Sequence, residues 1–308
     1  MANHDNRLEM TRLYNERPST AHIVATAAAW IIGIGIVVFG AGSLVVAGIA
    51  GPAVTGGGGS APSATVAPPV VSQQPVAPVE STPTPSPVEA PDPEPTPPPI
   101  TGVVCIDPGH QARADSSQEP VGPGASETKP KVAGGTRGVA TGIPESETVL
   151  AISLKLRDEL EKRGITVVMV RETQDVSIAN SERAAIANNA NADLFLRLHC
   201  DGANSQSAHG LSTLVPASNR WTGPIVGPSR TAADIVHKAV VAATGAKDNG
   251  VVERSDLSGF NWATVPTILV EMGFMTNPAE DERLNDPAYQ QRLAEGMAEG
   301  TVEYLRSR

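Results

Sequence analysis

The sequence predicts an α/β protein: a single three-layer sandwich with a mainly parallel, roughly six-stranded sheet. Two observations carry this. From Ile100 to the C-terminus, short apolar runs alternate with longer stretches of helical periodicity, the pattern of βαβ units. Several of those runs also end in an acid or a histidine, as chains do where an open parallel sheet presents its carboxyl rim. The roughly 200 residues involved suffice for one such core, and they contain no internal repeat.

The elements follow in order. "VVCID" (103–107) is the first strand and turns on Pro108-Gly109 to reach His110. "SETVLAISLKLRDELEKRG" places Val149, Ile152, Leu156 and Leu160 on one face, and Gly164 ends that helix. Further strands are read at "ITVVMV" (165–170), "DLFLRLH" (193–199), "GLSTLV" (210–215) and "TILVE" (267–271). Residues 177–190, 229–243 and 286–306 read as helices. Between the first strand and the first helix, Gln111 to Thr141 is a long Gly/Pro/Ser-rich loop without helical periodicity. Loops of that length are usually functional or disordered.

Ahead of this domain, 100–308, lie three dissimilar stretches. Residues 1–19 are polar and carry Arg7, Arg12 and Arg17. Residues 20–50 contain no Asp, Glu, Lys or Arg, a run long enough for a transmembrane helix. No Lys or Arg follows until Arg113, so the positive-inside bias places the N-terminus in the cytoplasm and the domain outside. A cleaved export signal is the rival, because the small residues Ala47, Gly48 and Ala50 follow the apolar core. Residues 51–99 are Pro/Gly-rich and are expected to be a disordered, extended linker. At ~3.1 Å per residue it would reach on the order of 150 Å.

The totals exclude some classes. A net charge of −10 over 308 residues argues against a nucleic-acid partner. Aromatics make up 3%, beside 27 prolines and 29 glycines, the mixture of an ordered domain with a low-complexity stretch. Two cysteines, Cys105 and Cys200, are too few for a Cys-rich zinc module. They are read either as one bridge or as two small buried residues. A separation of roughly 10 Å, from three residues of strand rise, speaks against the bridge.

The candidate chemistry gathers at the sheet's rim. His110, His199 and Glu271 each follow or end a strand, and Glu145 opens the first long helix. Singly, each has an ordinary reading as a surface, helix-dipole or loop residue. Together they compose a catalytic zinc site: two imidazoles, one carboxylate ligand and a spare carboxylate as base. No local signature such as H-E-x-x-H is present. Glu147 rivals Glu145, but two residues apart on a helix is about 200° around the axis, so both cannot face one metal. Of the other histidines, His4 and His22 precede or lie in the apolar run, His237 reads as structural and His209 is the alternative ligand. Cys200 should point away from its neighbour His199.

The domain resembles the zinc-dependent N-acetylmuramoyl-L-alanine amidases, the type-3 peptidoglycan amidases. Five stretches carry the resemblance: "IDPGH" (106–110), "GIPESETVLAISLKL" (142–156), "VVMVRETQD" (167–175), "ERAAIANNANADLFLRLH" (182–199) and "VPTILVEMGFMTNPAED" (265–281). The resemblance implies that His110, Glu145 and His199 bind Zn2+ and that Glu271 is the catalytic glutamate. It also selects Glu145 over Glu147. The implied reaction cuts the amide between N-acetylmuramic acid and the L-alanine of the stem peptide. Two departures, Gln111 for a glycine and "CDG" (200–202) after His199, remove no ligand.

On this reading the 111–141 loop is either a substrate-groove wall or lid, or a mobile surface loop. Trp262 and Asn261 in "SGFNWATVP" (258–266) are candidate substrate contacts, with a core role for Trp262 the alternative. The expected protein is a single-pass, membrane-tethered wall hydrolase with a monomeric catalytic domain, or a secreted one if the leader is cleaved. Peptidoglycan is the expected partner. Rival readings are a non-catalytic wall-binding module with the amidase fold and a zinc peptidase that cuts another wall bond.

Overall fold

The computed structural model describes residues 100–308. The expected cytoplasmic segment 1–19, membrane helix 20–50 and linker 51–99 lie outside the described residues. Among the described residues no helix is long and apolar enough to cross a membrane.

The chain runs β1 (Val103–Pro108), β2 (Asp115–Pro120), β3 (Thr128–Val132), α1 (Glu145–Glu161), β4 (Thr166–Met169), α2 (Asn180–Asn189), β5 (Leu194–Asp201), β6 (Leu211–Pro216), α3 (Gly223–Thr244), β7 (Asp248–Arg254), α4 (Ser258–Trp262), β8 (Thr267–Phe274), α5 (Pro278–Leu284) and α6 (Pro287–Arg306). Six strands form one sheet in the order β4-β1-β5-β8-β6-β7. The pairs β1·β4, β1·β5, β5·β8 and β6·β7 are parallel, and β6·β8 is antiparallel. The sheet is therefore mainly parallel and six-stranded, as the alternation of elements predicts. β6 and β7 reverse direction relative to the other four strands, three of which carry or lead into the candidate site.

Alternation along the strands divides the interior in two. Ile106, Leu194, Leu196, Leu198 and Val270 face one way and meet Val149, Ile152 and Leu156 of α1, Val236 and Val240 of α3, and Leu293 and Met297 of α6. Cys105 and Phe195 face the other way and pack with Ala184 and Ala187 of α2, Ile225 and Ala263. These are the two outer layers of the sandwich. α3 and α6 approach closely because Gly300 stands at their contact, where a Cβ would lie 2.7 Å from the Val236 backbone. Each cysteine belongs to a different one of these clusters, so the sheet lies between them, and both are free and buried.

As expected, Gly164 closes α1: the helix ends at Glu161 and Gly164 takes the left-handed φ of 81°. Other elements depart from the sequence expectation. α3 begins at Gly223 rather than 229, because Pro224 is tolerated in the first turn and burial of Ile225 outweighs the bond lost at Pro228. β7 lies at the sheet's edge, and its "DNGVVER" carries too few apolar residues to read as a strand. The 111–141 loop contains a two-stranded antiparallel hairpin, β2–β3, whose polar, proline-bearing strands give no strand signal. The short helices α4 and α5 occupy expected loops; Asn277 caps α5 by accepting from Ala279 N and Glu280 N.

Candidate metal centre

His110 lies two residues beyond β1, whereas His199 and Glu271 lie inside β5 and β8, which continue to Asp201 and Phe274. The two are register partners on adjacent parallel strands, so their side chains leave the same face. Asp107 and Arg197 share that face by the same alternation. Glu145, the first residue of α1, reaches the cluster and is almost fully buried. Glu147 is exposed, so of the two glutamates it is Glu145 that reaches the histidines.

Three ligand atoms converge. His110 Nε2 lies 3.1 Å from Glu145 Oε1, His199 Nδ1 lies 3.1 Å from the same oxygen, and the two nitrogens are 3.1 Å apart. Two ligands about 2.0–2.1 Å from a tetrahedral zinc are separated by about 3.3 Å, so the donor set has the spacing such an ion requires. Its chemistry, two imidazole nitrogens and one carboxylate oxygen, also suits zinc. Among the described residues this is the group of His, Cys, Asp and Glu side chains arranged to hold a metal ion. Glu271 stands outside the three.

Two of the three, His110 and Glu145, are held from behind by backbone groups. His110 Nδ1 donates to Ala133 O at 2.8 Å, which turns the lone pair of Nε2 in the neutral ring toward the cluster. Glu145 Oε2 accepts from Thr136 N at 2.7 Å, and Oε1 accepts from Cys200 N at 2.9 Å. Gly109 is demanded by packing, since a Cβ there would lie 2.3 Å from the His199 ring. Cys200 offers the site only its backbone; its side chain belongs to the opposite core.

Protonation follows from burial and neighbours. Burial pushes the Glu145 carboxyl up, but the His110 and His199 imidazoles hold it well below the usual carboxylate range. Burial drives His199 down to about 4, against the opposing Glu145 hydrogen bond. Burial would lower His110 too, yet Glu145 outweighs it and leaves that imidazole raised. A metal must displace any proton on His110 Nε2, so binding there is coupled to proton release.

The remaining candidates sit elsewhere. His209 Nδ1 bonds to Ser207 O, and it is outside the ligand group. His237 is buried between Thr213 Oγ1 and Asp248 Oδ1 at 3.0 and 2.8 Å, a structural role. Trp262 Nε1 donates to Pro120 O and Asn261 Nδ2 donates to Val121 O, each at 2.9 Å, so both hold the hairpin. Trp221 Nε1 does the same to Pro123 O. Glu119 of β2 accepts from Asn180 N, Ser181 N and Ser181 Oγ and caps α2 from the hairpin. The hairpin is thus docked, and the chain leaving it supplies Ala133 O and Thr136 N to two of the ligands.

Sequence reading missed the ion network behind the site. Asp107 bonds Arg183 Nη1 through Oδ1 at 2.6 Å and Arg197 Nε through Oδ2 at 2.8 Å, all nearly fully buried. Burial pushes the Asp107 carboxyl up, but the two arginines hold it at about 2. The available signal was a charged residue within an apolar run, as in "LFLRLH".

The comparisons agree with this geometry. The family model described as N-acetylmuramoyl-L-alanine amidase matches residues 104–303. An N-acetylmuramoyl-L-alanine amidase from Mycobacterium tuberculosis is 32% identical over 210 residues, covering 66% of this chain and 86% of that protein. The crystal structure of an N-acetylmuramyl-L-alanine amidase from Mycobacterium smegmatis superposes with a TM-score of 0.61 at 29% identity, covering 67% of this chain and 98% of that one. One from Clostridium difficile gives 0.55 at 28%, covering 68% and 99%. Matched along most of its ordered domain, with two histidines and a glutamate converging at the sheet's rim, the chain belongs to the N-acetylmuramoyl-L-alanine amidase family.

Proposed function

We propose that this domain hydrolyses the amide bond between N-acetylmuramic acid and L-alanine in peptidoglycan, with a zinc ion held by His110, Glu145 and His199. The observation that carries the metal reading is the mutual 3.1 Å spacing of three donor atoms, two of whose residues are oriented by backbone groups. When bound, the ion supplies Lewis acidity, which acidifies water and polarises an amide carbonyl. His199, driven down to about 4, is neutral at physiological pH and so offers a lone pair.

Glu271 is the general base in this reading. Its carboxylate leaves β8 beside His199 and is 6% exposed. It takes the proton of the attacking water and returns it to the departing L-alanine nitrogen, which is a poor leaving group until protonated. Trp262 and Asn261 serve the substrate by fixing the β2–β3 hairpin as a wall beside the site. Digestion of purified peptidoglycan by the protein with zinc, followed by mass analysis of the products, tests the assignment. Free stem peptides with an L-alanine N-terminus are expected; cleavage inside the peptide would mean a peptidase, and intact glycan and peptide a non-catalytic module.

We also infer a single membrane span at 20–50 and an extended linker at 51–99, so that the domain works in the wall while tethered. The support is the uncharged run with arginines on its N-terminal side only. Protease added to cells with a permeabilised wall and intact membrane should remove the folded domain. Full protection of the domain would rule this topology out.

A further inference from the structure

Three successive backbone carbonyls, those of Pro108, Gly109 and His110, are engaged by guanidinium groups from distant parts of the chain. Arg171 Nε donates to Pro108 O at 2.9 Å, and its Nη2 donates to Gly109 O at 2.9 Å and to Ser146 O at 2.8 Å. Arg183 Nη1 donates to Pro108 O at 3.0 Å and Nη2 to His110 O at 2.8 Å. Both arginines are buried. Arg183 is also paired to Asp107, whereas the acceptors of Arg171 are backbone carbonyls throughout.

The turn needs such restraint. His110 has φ 59°, a left-handed conformation that a non-glycine residue rarely adopts. A backbone of this kind persists only where its surroundings over-determine it. The bond from His110 Nδ1 to Ala133 O fixes the ring's rotation, but not the backbone that carries the ring. Burying a cation against neutral carbonyls is also costly. That cost shows in Arg171, which burial and the neighbouring Arg183 pull down to about 10. Apolar packing would stabilise the fold at less expense. What the guanidinium adds is geometry: one nitrogen of Arg171 bridges Gly109 and Ser146, the immediate neighbours of His110 and Glu145.

We propose that Arg171 and Arg183 are positioning residues for the metal centre. They lock the Pro108–His110 turn in the conformation that brings His110 Nε2 to Glu145 and His199, and Arg171 ties that turn to the first turn of α1. A planar fork can hold two carbonyls at fixed angles; an ammonium cannot. Arg→Lys at either position should therefore keep the charge and lose the alignment.

The inference rests on the metal reading above, and the test separates the two. Zinc affinity of the full-length chain is measured by competition with a chromophoric chelator for the parent, Arg171→Lys, Arg183→Lys and Ile225→Ala. Ile225 is a buried apolar residue outside the site and serves as a control for lost stability. Unfolding midpoints are recorded in excess chelator. Each arginine variant should bind zinc at least about ten-fold more weakly, the usual result of removing a group that orients a ligand. Its metal-free midpoint should fall no further than that of Ile225→Ala, which should bind zinc like the parent. Arginine variants that bind within about two-fold of the parent would overturn the proposal. So would an Ile225→Ala variant that weakens zinc as much as they do, because affinity would then follow stability. If Arg183→Lys does not fold, Arg171→Lys decides by the same measure. A parent that binds no zinc would end the metal reading itself, and this one with it.

Discussion

Toward their carboxyl ends, the two faces of β1, β5 and β8 are built from opposite chemistry. On one face Ile106, Leu196 and Val270 meet α1, α3 and α6 in a continuous apolar core. On the other, one residue along each strand, stand Asp107, Arg197, His199 and Glu271, nearly all out of water. The first face is stabilised by area alone, and any well-packed hydrophobic set of the right volume would serve it. The second buries charges that are tolerable only because each meets a partner. The apolar face should therefore govern stability and the polar face function, and substitutions on one strand should separate the two.

The largest separation is expected at the ligands and the base. His110→Ala and His199→Ala should each abolish stable zinc binding, and hydrolysis with it. They should also remove the stabilisation that bound metal gives only to the folded state. Glu271→Ala should keep its zinc and lose about 10²- to 10⁴-fold in rate, or about 3–5 kcal/mol of barrier. Glu145→Ala should regain part of its activity in excess zinc, whereas Glu271→Ala should not. Zinc content and muropeptide release, followed through a zinc titration, distinguish the roles. A metal-free Glu271→Ala that zinc rescues, beside a Glu145→Ala that keeps its metal, would show them reversed.

On the same strand as His199, Leu196 points the other way and is fully buried. Leu196→Ala should cost about 2–5 kcal/mol of stability through lost transfer energy and a cavity. The zinc affinity of the molecules that remain folded should match the parent. Denaturant unfolding in chelator measures the first quantity and competition for zinc the second. A folded Leu196→Ala that binds zinc ten-fold more weakly would show that the two faces are not independent.

The same division explains what the sequence discloses. Val149, Ile152, Leu156 and Leu160 repeat at helical spacing, so α1 and the apolar face are legible from local pattern. His110, Glu145, His199 and Glu271 are singled out by strand ends and a helix start that share one rim, and by five motifs that follow one another in a family's order; the structure brings the first three together. The ion network was not legible, since Asp107 meets Arg183 and Arg197 across 76 and 90 residues of chain and no local period marks such pairs. The hairpin was missed for a related reason. "DSSQEP" and "TKPKV" carry little of their own stability; the hairpin's Glu119 ties them to α2, and Trp221 and Trp262 hold the hairpin from outside. Even the reversal of β6 follows from its partners, not from its composition.

The smallest expected effect lies on the polar face and appears only as a dependence on pH. Asp107 has an ordinary value of 3.8 and is held at about 2 by Arg183 and Arg197 against the opposing push of burial. A carboxyl held below its unfolded value contributes stability that is fully present above about pH 4 and is lost as pH falls through about 2. The difference corresponds to about 2 kcal/mol. Asp107→Asn removes that charge at every pH and leaves two buried guanidinium groups to share a neutral amide, which is destabilising near neutrality. As the parent's own carboxyl becomes protonated, the two chains come to resemble each other. The gap in unfolding free energy between parent and Asp107→Asn should therefore be constant from about pH 7 to 5 and shrink by about 2 kcal/mol toward pH 2. Measuring the gap in chelator excludes zinc release, and taking a difference cancels the acid groups common to both chains. The same comparison for Leu196→Ala should be flat with pH, because the titratable groups of the apolar core, Cys200, Tyr289 and Tyr304, are raised by burial and stay neutral throughout this range. A gap for Asp107→Asn that stays level down to pH 2.5 would mean that the arginines hold this carboxylate by geometry alone, with no gain from its charge.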